Sequence, residues 1–320
     1  MLMVNFHNVL SGSLNVYDRT AAPRVHVDQF RAAIDKLSTR FGLVSFPELF
    51  SRLERGAIDD EAATLTFDDG YSGVLRHAFP ILRDRGVVAT VMVVTQALDS
   101  ISTLLHFEEL EVAFRISKAR TLSLPGRRAQ PIETNTDRVR CLIALKRQLK
   151  LQPEPVRRRQ HHEILSCLRV TRDQVTEASR NFPVFDKLTS NELRFLASSG
   201  WTIGSHTRTH RTLSCLNDKD VMQELAGSRD DIQTHFDVAD MPFAYPYGGP
   251  QHIGDRVPQS VKKCGYSCAL TTTPGSMPWK WERFHLPRTN IEELDQPLAP
   301  TSGVARVAHD VQTEKIHDEP

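Results

Sequence analysis

Residue types that could act together chemically stand at two places in this 320-residue chain. The first is Thr64-Leu-Thr-Phe-Asp68-Asp69-Gly70-Tyr71, where two adjacent carboxylates close the apolar stretch from Ala62 to Phe67. That stretch reads as a short buried strand, and Gly70 as the turn that stops it. Two neighbouring Asp side chains at a strand end can divide the labour, one binding a cation while the other stays free as a base. The second place is Trp201-Thr-Ile-Gly-Ser205-His206-Thr207-Arg208-Thr209-His210, another apolar stretch that runs into two His four positions apart. Neutral imidazole is a common ligand for zinc and its neighbours, and the spacing predicts both rings on one side of a single turn. Two His and one carboxylate make a three-ligand site with open positions, the arrangement of a catalytic rather than a structural metal. In an α/β fold both motifs fall at the carboxyl ends of strands, where ligands bind.

Thr66-Phe-Asp68-Asp69-Gly70 and Ser205-His206-Thr-Arg-Thr-His210 resemble the first two motifs of the polysaccharide deacetylases, the NodB-homology or carbohydrate esterase family 4 enzymes. These are metal-dependent hydrolases that remove acetyl from N-acetylated sugars on a distorted (β/α) barrel. The resemblance covers Met1 to about Val94 and about Thr189 to Ile291. It implies that Asp69, His206 and His210 hold one divalent metal and that Asp68 is the general base. Zinc is the first expectation, and the same donor set accepts cobalt, nickel or iron.

In most of that family the general acid is a His near the C-terminus. Here only His309 and His317 follow Arg288, both in a polar tail. His7, at the end of Leu2-Met-Val-Asn5-Phe6-His7, resembles instead the acid of the circularly permuted members, in which this His sits on the first strand. Pro242-Phe-Ala-Tyr245-Pro246-Tyr247-Gly248-Gly249 resembles the third motif, which implies the Tyr247 amide as donor to a developing oxyanion. The Arg that usually opens this motif is absent. Arg288, in Phe284-His-Leu-Pro287-Arg288, ends another strand-like stretch and is the candidate to stand beside the base.

The rest of the chain must position these groups. Helices are predicted over Val27–Phe41, Pro47–Arg55, Thr189–Ser199 and Asn217–Phe236, the third opened by a Thr189/Glu192 capping box. Another is predicted over Tyr71–Arg85, kinked at Pro80. Val87–Val94 reads as a fully buried strand and Tyr266–Thr271 as another. Such alternation argues for parallel βα units, hence an α/β barrel. One catalytic domain over residues 1–298 is expected, with a helical insertion at about 95–187 and a disordered tail over 299–320. Leu104–Ala119, Thr136–Leu151 and Val156–Leu168 are the insertion's candidate helices. It leaves from the carboxyl side of a strand and so should overhang the active-site face. Arg157-Arg158-Arg159 reads as a solvated face. Nothing in the spacing of Arg76, His77, His106, His161 or His162 demands a role.

Composition bounds the function. Lys plus Arg number 40 and Asp plus Glu 39, for a net charge of +1, so there is no electrostatic footprint for nucleic acid. At 40% hydrophobic the chain can bury a large core, yet no stretch approaches membrane-spanning length. Five Cys without a second metal-type pair read as free thiols. With no export signal legible, a cytoplasmic protein is expected. Its substrate would be an N-acetylated sugar, an oligosaccharide or a lipid- or nucleotide-linked glycoconjugate precursor. A substrate-recognition lid or a peripheral membrane contact is the alternative to a merely solvated insertion. Two other functions stay open: a metal-independent amide or ureide hydrolase on the same barrel, and a non-catalytic glycan-binding protein.

Overall fold

Short apolar strands with side chains buried on both faces can only assemble into a sheet covered on both sides. The computed structural model, which describes residues 1–18, 24–57, 61–98, 103–238, 240–275 and 281–291, contains such a sheet. Its strands are β1 (Leu2–Phe6), β2 (Gly42–Leu43), β3 (Ala62–Phe67), β4 (Thr90–Val93), β5 (Thr202–Ser205), β6 (Pro242–Ala244), β7 (Cys268–Leu270) and β8 (Thr289–Asn290). In space they run β7-β6-β5-β4-β3-β1-β8, with β2 beside β3, and every pairing is parallel. The stretch from Leu286 to Asn290 reaches both ends of this order. Leu286 bridges Leu270 of β7, while Thr289 and Asn290 pair with Val4 and Asn5 of β1. This contact draws the sheet round into the distorted barrel expected from the sequence.

Phe6, Phe67 and Trp201 stack through the barrel wall at 5.4 and 5.8 Å between centroids. Each such buried ring contributes about 1.5–3 kcal/mol by burial, plus about 0.5–1.5 kcal/mol from ring geometry. Outside the sheet lie α1 (Val27–Arg40) and α2 (Phe46–Glu54), close to their predicted bounds. The helix predicted over Tyr71–Arg85 is instead a π-type turn at Val74–Ala78 followed by α3 (Phe79–Arg83). Pro80 lacks an N–H and its ring crowds the carbonyl four residues back, so a wider turn precedes it and Pro80 falls in the first turn of α3. The strand predicted from Val87 shortens to Thr90–Val93, with Val87 and Val88 packed on the core outside the ladder.

The insertion carries α4 (His106–Ile116), α5 (Asn135–Leu149), α6 (Glu154–Cys167) and α7 (Arg172–Ser179). Neither α7 nor the small hairpin of Thr121–Leu122 with Gln130–Pro131 is legible in the sequence. The helices bury a core of their own, including Leu110, Phe114, Leu142, Leu145 and Leu165, distinct from the barrel's. Arg158 and Arg159 are exposed as expected, but the Arg157 side chain is only 13% exposed and pairs with Glu154 at 2.8 Å. Beyond the insertion come α8 (Ser190–Ser198), with its Thr189/Glu192 capping box formed, α9 (Asp218–His235), α10 (Pro250–Ile253) and α11 (Val257–Lys263). Among the described residues no helix is long and apolar enough to cross a membrane. The expected tail over 299–320, with His309 and His317, lies outside the described residues.

Candidate active site

Two loops at the carboxyl ends of β3 and β5 carry the acidic and imidazole groups. Asp69 follows β3 with φ +69°, and the His206–His210 segment follows β5 as a loop, not as the single regular turn its spacing suggests. Thr207 and His210 also have positive φ, +67° and +58°. Each such non-glycine conformation costs on the order of 1–3 kcal/mol and persists only where neighbours over-determine it. The neighbours are visible. Buried Glu224 of α9 accepts the N–H groups of Arg208 (3.0 Å) and Thr209 (2.8 Å), and the Thr207 hydroxyl accepts the His210 N–H (3.0 Å).

Both ends of the insertion brace the same loops. At its start the N–H groups of Thr95 and Gln96 donate to the Thr207 and Arg208 carbonyls (3.1 and 3.0 Å). At its end the Leu188 N–H donates to the Gly70 carbonyl (2.8 Å), and the Ser72 N–H to that of Asp186 (2.9 Å). The insertion is therefore part of what fixes the site.

Asp69 Oδ1 lies 3.3 Å from His210 Nε2 and 3.7 Å from His206 Nε2, and one ligand atom from each of the three residues falls within 4.8 Å of the others. His206 Nδ1 lies 2.8 Å from the Ala244 carbonyl. A carbonyl only accepts, so Nδ1 carries a proton, and in that neutral tautomer the Nε2 lone pair is the one available to a metal on the Asp69 side. Burial, followed by His206, His106, His7 and Lys150, holds His210 well below the usual imidazole range, hence neutral. Asp69 Oδ1 is buried and accepts no hydrogen bond. A buried carboxylate oxygen without a donor, facing two imidazole nitrogens, is a donor set that fits a divalent metal ion.

Asp68 is treated differently. Arg288 grips it with both terminal nitrogens, Nη1 to Oδ1 at 2.7 Å and Nη2 to Oδ2 at 2.8 Å, and Asn5 adds a donor to Oδ2 at 3.2 Å. Arg288 is itself fully buried and donates from Nε to the Thr271 carbonyl (3.0 Å). Burial alone would raise the Asp68 carboxyl. The Arg288 charge, with smaller help from His206, the Arg288 hydrogen bonds and His7, overrides it and holds the group well below the usual carboxylate range. Arg288 thus occupies the place beside Asp68 that the sequence left open, because the Leu286–Asn290 stretch threads between β7 and β1.

His7 and Tyr247 complete the wall of a cavity of about 340 Å³ that also contains Asp68, Asp69, His206 and His210. His7 is half-buried, with its Nδ1 buried and unpaired. Tyr247 sits at φ +62°, its carbonyl accepting the Thr272 hydroxyl at 2.7 Å. The next residue must be glycine, since a Cβ on Gly248 would lie 2.5 Å from the Thr272 nitrogen. All seven candidate residues therefore meet at one place.

The sequence profile of the polysaccharide deacetylases matches residues 55–115 and 170–269, half of the chain. The chain belongs to the polysaccharide deacetylase family. The match leaves out most of the insertion, as well as the segments that carry His7 and Arg288. No curated protein sequence matches significantly. Among solved structures, a polysaccharide deacetylase from Bacillus cereus is similar at 17% identity and TM-score 0.53, over 91% of this chain and 64% of that one. The Streptococcus pyogenes deacetylase PplD, solved in complex with acetate, is similar at 15% identity and TM-score 0.57, over 91% of both chains. A de-N-acetylase from Aggregatibacter actinomycetemcomitans is similar at 13% identity and TM-score 0.53, over 91% of this chain and 95% of that one. These likenesses concern the fold. The chain spans just under two thirds of the length of the Bacillus cereus protein.

Two groups of this deacetylase-family site had not been singled out from the sequence. Asn5 bonds Asp68 and accepts from Arg288 (3.0 Å); its signal in the sequence is its place two residues before His7, at the alternation of an extended chain. His106 carried none, yet its Nε2 lies 3.2 Å from the Tyr247 hydroxyl.

Proposed function

We propose that this chain is a metal-dependent hydrolase that removes N-acetyl groups from an amino-sugar glycan or glycoconjugate precursor. The observation that carries the reading is the division between the two adjacent carboxylates: Asp69 Oδ1 without a donor facing two imidazoles, Asp68 saturated by Arg288 and Asn5. Bound by Asp69, His206 and His210, a divalent metal would supply Lewis acidity, lowering the pKa of water and polarising the amide carbonyl. Asp68, kept ionised by Arg288, accepts the proton of the attacking water as general base. The Tyr247 N–H donates to the oxygen that becomes negative as water adds. His7 protonates the nitrogen as the C–N bond breaks, so that acetate and a free amine leave.

Five unpaired cysteines, two of them buried, support a reducing compartment and thus a cytoplasmic protein, which cell fractionation would check. The experiment that tests the reading measures bound metal per chain and acetate release from N-acetylated sugars, for the wild type and Asp68→Asn. Metal retained with acetate release abolished in the variant supports it. Absence of metal after zinc or cobalt reconstitution would sink it.

A further inference from the structure

The barrel supplies one side of the cavity and the insertion the other, and the two sides differ in charge. The face of α5 and its C-cap turned to the cavity presents Ile143, Lys146, Arg147 and Lys150, at helical spacings of three and four. Lys146 is spoken for, since its ammonium lies 3.2 Å from Glu111. Among the described residues, Arg147 and Lys150 form no ion pair. The Lys150 ammonium lies 4.4 Å from the centroid of the Tyr247 ring, which in turn packs 4.8 Å from the His210 ring. A single aromatic ring therefore separates this cation from the imidazole that faces Asp69.

Cations in the last turn of a helix favour its dipole, which stabilises exposed Arg147 at the rim of the cavity without a carboxylate partner. It does not account for Lys150, which is half-buried and turned into a cavity without a carboxylate partner. Desolvating an ammonium without a counter-charge is costly, and a cation–π contact returns only about 0.5–2 kcal/mol of it. The cost is recovered when an anion enters. The acidic groups of the cavity are not that anion: Asp68 is committed to Arg288, and Asp69 faces the two imidazoles.

We propose that Arg147 and Lys150 form an anion subsite that takes a phosphate group carried by the N-acetylated sugar itself, about one sugar ring from the amide to be cleaved. This inference rests on the proposed deacetylase reading and narrows its substrate to a phosphate-linked amino sugar. Phosphate is favoured over a neutral glycan because the subsite offers two separate cationic groups of different shape, a guanidinium fork and a point charge, to an oxyanion with several acceptors. The shared chemistry has two sources, a nucleoside diphosphate sugar and a lipid diphosphate sugar.

The test compares kcat/KM for acetate release by the full, metal-loaded chain on four compounds. They are N-acetylglucosamine, its 1-phosphate, its uridine diphosphate conjugate and an octyl diphosphate conjugate. Alongside, titration calorimetry follows glucosamine and glucosamine 1-phosphate binding to wild type, Arg147→Met, Lys150→Met and Lys150→Arg. The expected result is a preference for phosphorylated over neutral sugar of roughly tenfold or more, the order of one charge-assisted hydrogen bond. That preference falls towards unity in the two Met variants and is largely restored in Lys150→Arg. Preference for the uridine or the octyl conjugate tells the nucleotide source from the lipid. Equal turnover of neutral and phosphorylated sugars, or a preference unchanged in both Met variants, overturns the subsite. If no compound releases acetate, the deacetylase reading is what has failed. Calorimetry still decides the subsite, in favour if only the 1-phosphate binds and does so through Lys150, against if both bind alike or neither binds.

Discussion

Two clusters of buried charge, one centred on the insertion and one at the strand ends of the barrel, are built on opposite principles. In the insertion, Glu111 receives Arg24 and Arg115 at 2.8 Å each and Lys146 at 3.2 Å. Glu108 receives Lys187 (2.7 Å), the Tyr71 hydroxyl (2.5 Å) and the Leu105 N–H (2.7 Å). Both carboxylates are fully buried and every oxygen has a donor. At the strand ends of the barrel Asp69 is equally buried, yet its Oδ1 has none. A saturated buried carboxylate holds a structure together, because any relaxation exposes uncompensated charge. One with an oxygen left over is unstable by itself and becomes comfortable only when a ligand arrives. Saturation, rather than burial or charge, separates the metal-facing Asp69 from the scaffold pair, whereas Asp68, saturated by Arg288 and Asn5, belongs to the site by its place in the cavity wall.

The contrast can be broken most severely at Asp69. Asp69→Ala is expected to abolish metal binding, from about one ion per chain to none, and acetate release with it, while the insertion stays folded. Elemental analysis and circular dichroism would show both. If the variant kept its metal, Asp69 would belong with the scaffold group. Asp68→Asn comes next: acetate release should fall about 10²- to 10⁴-fold, the usual worth of a general base, with metal content retained. A variant that lost metal as well would show that the two carboxylates do not divide the work.

Glu111→Gln tests the other side. Burial, the largest single influence, would raise the Glu111 carboxyl, but its three cations and its hydrogen bonds with Arg24 together outweigh it and bring the group down to about 2. A depressed carboxylate stabilises the fold fully above its ordinary pKa, and that contribution is lost as pH falls through the folded value. The wild type should therefore lose about 3 kcal/mol between roughly pH 4.5 and 2 through this group, a slope absent from Glu111→Gln. Urea titrations at several pH values would reveal it, and parallel slopes in the two proteins would remove Glu111 from the account. The smallest effect belongs to an exposed pair. Arg83 and Asp84, 3.1 Å apart with side chains 65% exposed, should tolerate Asp84→Ala within about 0.5 kcal/mol, read from the urea midpoint. A larger loss would mean that ion pairing in this protein stabilises irrespective of burial.

Much of the barrel could be read in advance because its signals are local. β3 is a β-branched and apolar run stopped by Gly70, and α8 opens on a capping box that the structure forms. Both strand-end motifs were legible for the same reason: Asp68-Asp69 and His206/His210 lie within a few residues of strands whose ends must hold them. Departures occurred where packing overrode pattern. Pro80 did not kink a long helix but sits in the first turn of α3, behind a π-type turn. Arg157 left the solvated face to pair with Glu154.

By itself the sequence determined the parallel α/β architecture and the identities of Asp68, Asp69, His206 and His210, because hydrophobic period and short motif spacing are properties of neighbouring residues. It also named His7, Tyr247 and Arg288, but as members of separate segments. Only the tertiary structure decided that Arg288, 220 residues from Asp68, closes on it from the stretch between β7 and β1. Only it decided that His106, Arg147 and Lys150 of the insertion face the same cavity. Side chains so far apart in sequence meet because the sheet curls round and the insertion is tied to the Asp and His loops at both ends. That proximity arises from chain closure, which no local pattern encodes.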